Sequence, residues 1–211
     1  MKKLISTVAL SVALVAPFSS ALADQNAGGF FVRGNAGQSD YRVSNQYFDS
    51  NTDFGWNLGA GYRWATTSGN WGIDAGYVDL GKSKLNATFV DQELTYGINV
   101  QGQSASHGYT LGGNYMYQFG NGWNVQGRTG LAFLKTRATV GFVDSEGNIS
   151  ESPIRGSNTG TTWYGGVGVG YDFNRSFGVS LNYDYYGLSL GNKFKNDGSA
   201  SLLSFGAEYR F

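Results

Sequence analysis

From Phe54 to Trp64 every second residue is apolar: Phe54, Trp56, Leu58, Ala60, Tyr62 and Trp64 share one face of an extended segment, with Gly55, Asn57, Gly59, Gly61 and Arg63 on the other. Successive side chains of a strand point to opposite sides, so a period of two predicts a β-strand with unlike faces. Seven further segments carry the same pattern. The first sets Phe30, Val32, Gly34 and Ala36 against Arg33, Asn35 and Ser39; the third sets Trp71, Ile73, Ala75 and Tyr77 against Gly72, Asp74 and Gly76. Later segments centre on Tyr109 to Phe119, Trp123 to Phe133, Trp163 to Phe173 and Phe177 to Tyr185. The last sets Leu203, Phe205, Ala207, Tyr209 and Phe211 against Ser204, Gly206, Glu208 and Arg210.

The connections between these segments alternate in length. Residues 40 to 53, 82 to 104, 141 to 160 and 191 to 199 read as long polar loops, whereas Ala65 to Asn70, Gly120 to Gly122 and Asn174-Arg175 read as tight turns. Eight strands joined in this way predict an all-β fold, an antiparallel up-and-down barrel. Composition agrees: 14 Phe, 14 Tyr and 5 Trp demand burial, which excludes a disordered chain, and the lack of cysteine excludes a disulfide scaffold. The 15 basic and 15 acidic residues cancel, so the charge does not suit an electrostatic nucleic-acid binder.

The chain opens with Lys2 and Lys3, an apolar run from Leu4 to Ala16, and Ala21-Leu22-Ala23 ahead of Asp24. This order predicts a cleaved secretory signal peptide over residues 1 to 23 and a barrel domain over residues 24 to 211. An exported barrel could be soluble, with its apolar face inward, or could cross a membrane with that face outward. Three features favour lipid outside: aromatics gather at strand ends, Gly dominates the polar face, and only 14% of residues are charged.

The segments quoted above, with the closing Phe205-x-Ala207-x-Tyr209-x-Phe211, resemble the small outer-membrane barrels of the OmpA-like and OmpX-like type from Gly28 to Phe211. The resemblance implies an outer-membrane location, periplasmic termini, and contact with membrane lipid, lipopolysaccharide and the barrel-insertion machinery. It implies that Phe205, Tyr209 and Phe211 form the insertion signal. A monomer is expected, although the sequence does not fix the oligomeric state. The peptidoglycan-binding domain that follows some such barrels is not expected after Phe211.

Candidates for chemistry are sparse, and no cofactor or metal is expected. His107 is the single histidine, but Ser106 beside it must point to the opposite face, so a lipid-modifying enzyme is the weakest reading. Asp144-x-Glu146-x-Asn148-x-Ser150 alternates oxygen ligands, yet lacks the Gly and Glu that a calcium loop places at its sixth and twelfth positions. The Gly166-Val167-Gly168-Val169-Gly170 run lies within an alternating strand with no helix to follow, so its glycines are small inward residues rather than a phosphate loop.

Counting from the periplasmic strand ends puts Arg33, Asp74, Arg128 and Glu208 on one level inside the barrel, and Arg33 near Glu208, because the first and last strands must be neighbours. That cluster would be an ionic plug or a gate. The loops carry Tyr41, Tyr47, Phe48, Phe89, Ile98, Phe142 and Ile154, enough apolar surface to meet an extracellular ligand or host surface. The reading is therefore a non-enzymatic surface barrel; the alternative is a narrow channel for ions or very small solutes, given room by the inward glycines.

The insertion signal generates a test. Deleting Phe211 should leave unassembled periplasmic chain that proteases clear, whereas Phe205→Leu, which keeps an apolar lipid-facing side chain, should lose far less. Equal yields of heat-modifiable barrel from wild type and the deletion would refute the role of Phe211.

Overall fold

The computed structural model describes residues 28–43, 51–90, 97–143, 154–188 and 198–211. They form strands β1 (Gly29–Val43), β2 (Asn51–Thr66), β3 (Gly69–Val90), β4 (Gly97–Gln118), β5 (Trp123–Val143), β6 (Ile154–Asp172), β7 (Phe177–Leu188) and β8 (Gly198–Arg210). Each pairs antiparallel with its sequence neighbour, and β1 pairs with β8 from Phe31↔Arg210 to Val43↔Gly198, which closes the barrel. Closure leaves no strand edge, the condition for a sheet to sit in a medium that cannot hydrogen-bond its backbone.

The faces divide as the alternation predicts. Phe30, Val167 and Tyr109 are 65%, 66% and 67% exposed on the outer wall, while Arg33, Asn35, Asp74 and Asp184 are buried within. The wall is banded. On β5 the outward residues run from Trp123 to Phe133, ten positions that at ~3.3 Å rise and ~40° tilt climb about 25 Å, the height of the apolar band of an outer-membrane barrel. Trp64, Trp71, Trp123, Tyr171, Phe173, Tyr209 and Phe211 form the girdle nearest the termini; edge contacts such as Tyr62 with Trp64 at 5.2 Å and Tyr209 with Phe211 at 5.0 Å knit it.

At the end with the termini the turns are short. Gly69 and Gly122 hold φ of 129° and 89°, conformations that L side chains resist. The Asn174 side-chain oxygen accepts from the backbone N–H of Ser176 at 2.9 Å and of Phe177 at 2.8 Å, which makes the β6–β7 turn.

At the opposite end the structure corrects the sequence reading. The strands outrun the lipid band, β3 and β4 to 22 residues each, so much of the chain expected in loops belongs to paired strand. Phe89 pairs with Ile98, and Phe142 with Val100; Ile154 begins β6. Tyr41 is likewise no loop residue: it lies in β1, buried toward the interior, and its hydroxyl donates to the Gly81 carbonyl at 3.2 Å. Polar composition suggested loops because water-exposed strands outside the membrane need no apolar face, while their ladders remain satisfied. Tyr47 and Phe48 lie outside the described residues.

A bulge marks where β3 leaves the band. The register with β4 slips between Asp79 and Lys82, and Gly81 takes φ of 73°. Four side chains hold it: Asp79 accepts from Gly81 N–H at 2.9 Å, Asp53 from Lys82 N–H at 2.5 Å, Ser39 Oγ donates to the Leu80 carbonyl at 2.6 Å, and Tyr41 caps Gly81. Gly81→Ala should therefore destabilise the barrel by at least about 1 to 2 kcal/mol, the cost of a side chain in the left-handed region, because its Cβ would also collide with the Phe54 carbonyl oxygen. Amide exchange should rise along the β3–β4 extension. An unchanged urea midpoint in vesicles together with unchanged exchange would show that the bulge is slack.

Candidate functional site

The lumen is the one interior the strands enclose, and its lower half, toward the termini, is ionic. Arg63 reaches from β2 to β8 and donates through both terminal nitrogens to Glu208, at 2.5 and 2.9 Å, and through Nε to Asn114 at 2.7 Å. Arg210 donates to Glu208 at 2.8 Å and to Asp172 at 2.6 Å. Asn114 donates to Asp74 at 2.7 Å, and Arg33 pairs with the other Asp74 oxygen at 3.0 Å. One connected network thus runs from Asp172 at the rim to Arg33. Arg128 pairs separately with Asp184 through two hydrogen bonds.

Two cations close together in a dry lumen would repel. Here the Phe31 ring lies 4.0 Å from the Arg63 guanidinium and 5.8 Å from that of Arg33, so the ring's negative face attracts both and offsets part of that repulsion. Inward glycines make the space. A Cβ at Gly166 would collide with the Asp184 carboxylate, one at Gly206 with the Asn35 amide, and one at Gly72 with Arg63.

Beside these ion pairs Asn182 donates to Asn35 at 3.1 Å and Asn35 to Asn57 at 2.5 Å. The upper half is then closed by a buried apolar cluster that includes Tyr41, Val78, Leu80, Leu134, Leu188 and Leu202. Tyr164 and Tyr186 stack within it at 5.8 Å, and the Tyr164 hydroxyl reaches down to Asp74 at 3.4 Å. A cavity beside Arg33, Gln126 and Asn182 has no room for a water molecule. A second, by Asn124, Glu208 and Arg210, offers about 10 Å³ to a water's centre, enough for one.

The structure puts Arg33, Asp74, Arg128 and Glu208 all in the lumen, but their partnerships differ from the sequence expectation. Glu208 faces Arg33 in the β1–β8 register, yet its carboxylate binds Arg63 and Arg210, while Arg33 turns to Asp74 on β3. Residue counts from strand ends ignore shear: in a tilted barrel, paired positions on adjacent strands differ in height, by roughly 3 Å for a 4.8 Å spacing. An arginine long enough to cross the lumen then selects a bidentate partner over the residue beside it.

The apolar tier went unread. Its signal was a break in the alternation: Tyr77-Val78, Phe133-Leu134, Trp163-Tyr164, Tyr185-Tyr186 and Leu202-Leu203 put apolar residues on both faces. Ser106 points inward to the Thr136 hydroxyl at 3.0 Å, while His107 lies on the outer wall near the Tyr77 ring. Phe205, Tyr209 and Phe211 are all on the outer wall. The stretch from Asp144 to Ser150 lies outside the described residues.

This geometry has counterparts among known proteins. Residues 7–211 match the family described as Outer membrane protein beta-barrel domain. Among solved structures, Neisserial surface protein A is 18% identical with a TM-score of 0.51, covering 88% of this chain and 99% of that one. A major outer membrane protein from Thermus thermophilus gives the same identity and TM-score, covering 88% and 100%. The attachment invasion locus protein Ail of Yersinia pestis is 18% identical with a TM-score of 0.48, covering 87% and 99%. Comparison with curated proteins finds no match.

Removal of the Glu208 carboxylate should strand Arg63 and Arg210 rather than Arg33. Glu208→Ala should cost on the order of 3 to 5 kcal/mol, less whatever water entering the lumen restores. In double-mutant cycles Glu208→Ala should couple strongly to Arg63→Ala and weakly to Arg128→Ala. Equal coupling in both cycles would contradict the observed pairing.

Proposed function

Because the chain belongs to the outer membrane protein beta-barrel domain family, we propose that it is a sealed, non-enzymatic surface barrel whose outer strand extensions and loops meet an extracellular ligand or host surface. The observation that carries this reading is the filled lumen, with four arginines paired to four carboxylates below and an apolar, tyrosine-stacked tier above. The chain is exported by a signal peptide over residues 1 to 23, and the barrel machinery reads the terminal aromatic strand.

The channel reading rested on inward glycines leaving room for water. That room is occupied: Asp184 fills the space over Gly166, Asn182 that over Gly168 and Tyr164 that over Gly112. The enzyme reading needs a nucleophile and a base within hydrogen-bond reach. Ser106 and His107 on opposite sides of the wall do not supply them.

Two measurements test the reading. Wild-type protein in planar bilayers is expected to give no current steps, and regular openings would overturn the seal. Replacing residues 144 to 153 with an Asn-Gly turn should leave a heat-modifiable barrel. Cells displaying it should adhere to host-cell and matrix surfaces less than cells displaying the full chain. Equal adhesion by both, and by cells lacking the protein, would remove the outer role.

A further inference from the structure

Seven of the eight strand pairs join sequence neighbours, whose connections limit how far one strand can slide along the next. The eighth, β1 with β8, joins the first strand to the last and has no connection of its own. Its lipid face does not fix it either. Outward, β8 presents Leu203, Phe205, Ala207, Tyr209 and Phe211. A slide by two residues returns an apolar or small residue to each of those places along the strand, because a period-two pattern repeats at that step. Something else must select the pairing Arg33↔Glu208 over closures in which Arg33 would meet Gly206 or Arg210.

Inward, β8 runs Gly206, Glu208, Arg210: no side chain, then a negative one, then a positive one. Each position is met by a group that reaches past an adjacent strand. Asn35 of β1 extends over Gly206 to β7, where its amide oxygen accepts from Asn182 at 3.1 Å, and a Cβ at Gly206 would collide with that oxygen. Arg63 of β2 passes over β1, its guanidinium 4.0 Å from the Phe31 ring, and binds Glu208 through both terminal nitrogens. On the other flank Arg210 passes over Gly178 of β7 to Asp172 of β6, where a Cβ at Gly178 would collide with the carboxylate. The cation of β8 therefore anchors it to β6, while its glycine and its carboxylate face groups from β1 and β2.

A slide of β8 by two residues against β1 spoils both of the latter contacts. In one direction Arg210 takes the place of Glu208 before Arg63, cation to cation, and Glu208 is driven under Asn35. In the other, Arg63 meets Gly206 instead of a carboxylate, and Ser204 is driven under Asn35. We propose that Gly206 and Glu208, read by Asn35 and Arg63, form the register key of the closing seam, selecting one shear for the barrel among closures that its lipid face cannot tell apart. Choice of register is separable from charge satisfaction here. When Arg63 is removed, Glu208 keeps Arg210 as a partner at 2.8 Å.

The chain has no cysteine, so a disulfide can report the seam. Ala36→Cys is combined with Leu203→Cys, Phe205→Cys or Ala207→Cys, and each barrel is folded into phosphatidylcholine vesicles and oxidised. Directly opposed cysteines can link, whereas diagonal neighbours at about 7 to 8 Å cannot. Wild type is expected to link position 36 with 205 alone, its register partner. The variant Asn35→Ala, Arg63→Gln should link 36 with 203 or 207 in at least about a tenth of heat-modifiable barrels, because nothing then opposes the slipped closures. Arg128→Gln with Asp184→Asn, which removes an ion pair between β5 and β7, should match wild type. A folded Asn35→Ala, Arg63→Gln barrel that links 36 with 205 alone would overturn the proposal, as would slipped links in equal share in the β5–β7 variant. Failure of the former to close at all, beside a closed β5–β7 variant, would overturn it too, since the two residues would then hold the seam together without choosing its register.

Discussion

Lipid offers the backbone no hydrogen bond, and this one deficit organises the molecule. It forces the β1–β8 ladder to close, and eight strands at the required tilt enclose an interior only wide enough for side chains. Every inward position must then be small or must find a partner. The glycines under Asp184, Asn35 and Arg63 meet the first demand, and the ionic network meets the second. Exposed aromatics that would condemn a soluble protein are the complement of the same constraint, because the solvent of the outer wall is hydrocarbon.

Within the lumen, charge balance matters more than any one pair. Burial of a charge is costly unless it is paired and hydrogen-bonded. Arg33, Arg63, Arg128 and Arg210 meet Asp74, Asp172, Asp184 and Glu208, with Asn114 joining two of the pairs and the Phe31 ring in contact range of two of the cations. Bidentate contacts at Glu208 and Asp184 fix their arginines in one orientation. The lower lumen is therefore rigid by connectivity, whereas the upper lumen is rigid by packing of Leu80, Leu134, Leu202 and the stacked tyrosines.

Strand identity and the lipid face were legible in the sequence, because each rests on a period-two pattern repeated in every segment, and closure was legible from eight strands whose connections alternate in length. The eight inward charges could also be read from parity. Which of them pair could not, since partnership across a lumen depends on shear and on side-chain reach, neither of which a linear count contains. Strand ends were misread for a related reason: outside the band the wall has no apolar face, so Lys82 to Val90 looks like loop although it pairs residue by residue with Gly97 to Ala105. Doubled apolar residues such as Tyr185-Tyr186 did carry information about the upper lumen, in the form of a departure from the pattern.

The bulge joins these layers. Ser39 and Tyr41 reach it from β1, and Asp53 from β2. What they hold in place is a reversal of parity in β3 that sends Lys82 to the outer wall. Interior packing thereby sets the chemistry of the rim. Leu80 stays inside to seal the upper lumen, and two residues later the strand presents a cation to the outside. A strand without the bulge would bury that cation among Val78, Leu80 and Leu134, where none of the observed carboxylate pairs reaches. The extra residue lets one strand serve a dry interior and a charged exterior in succession.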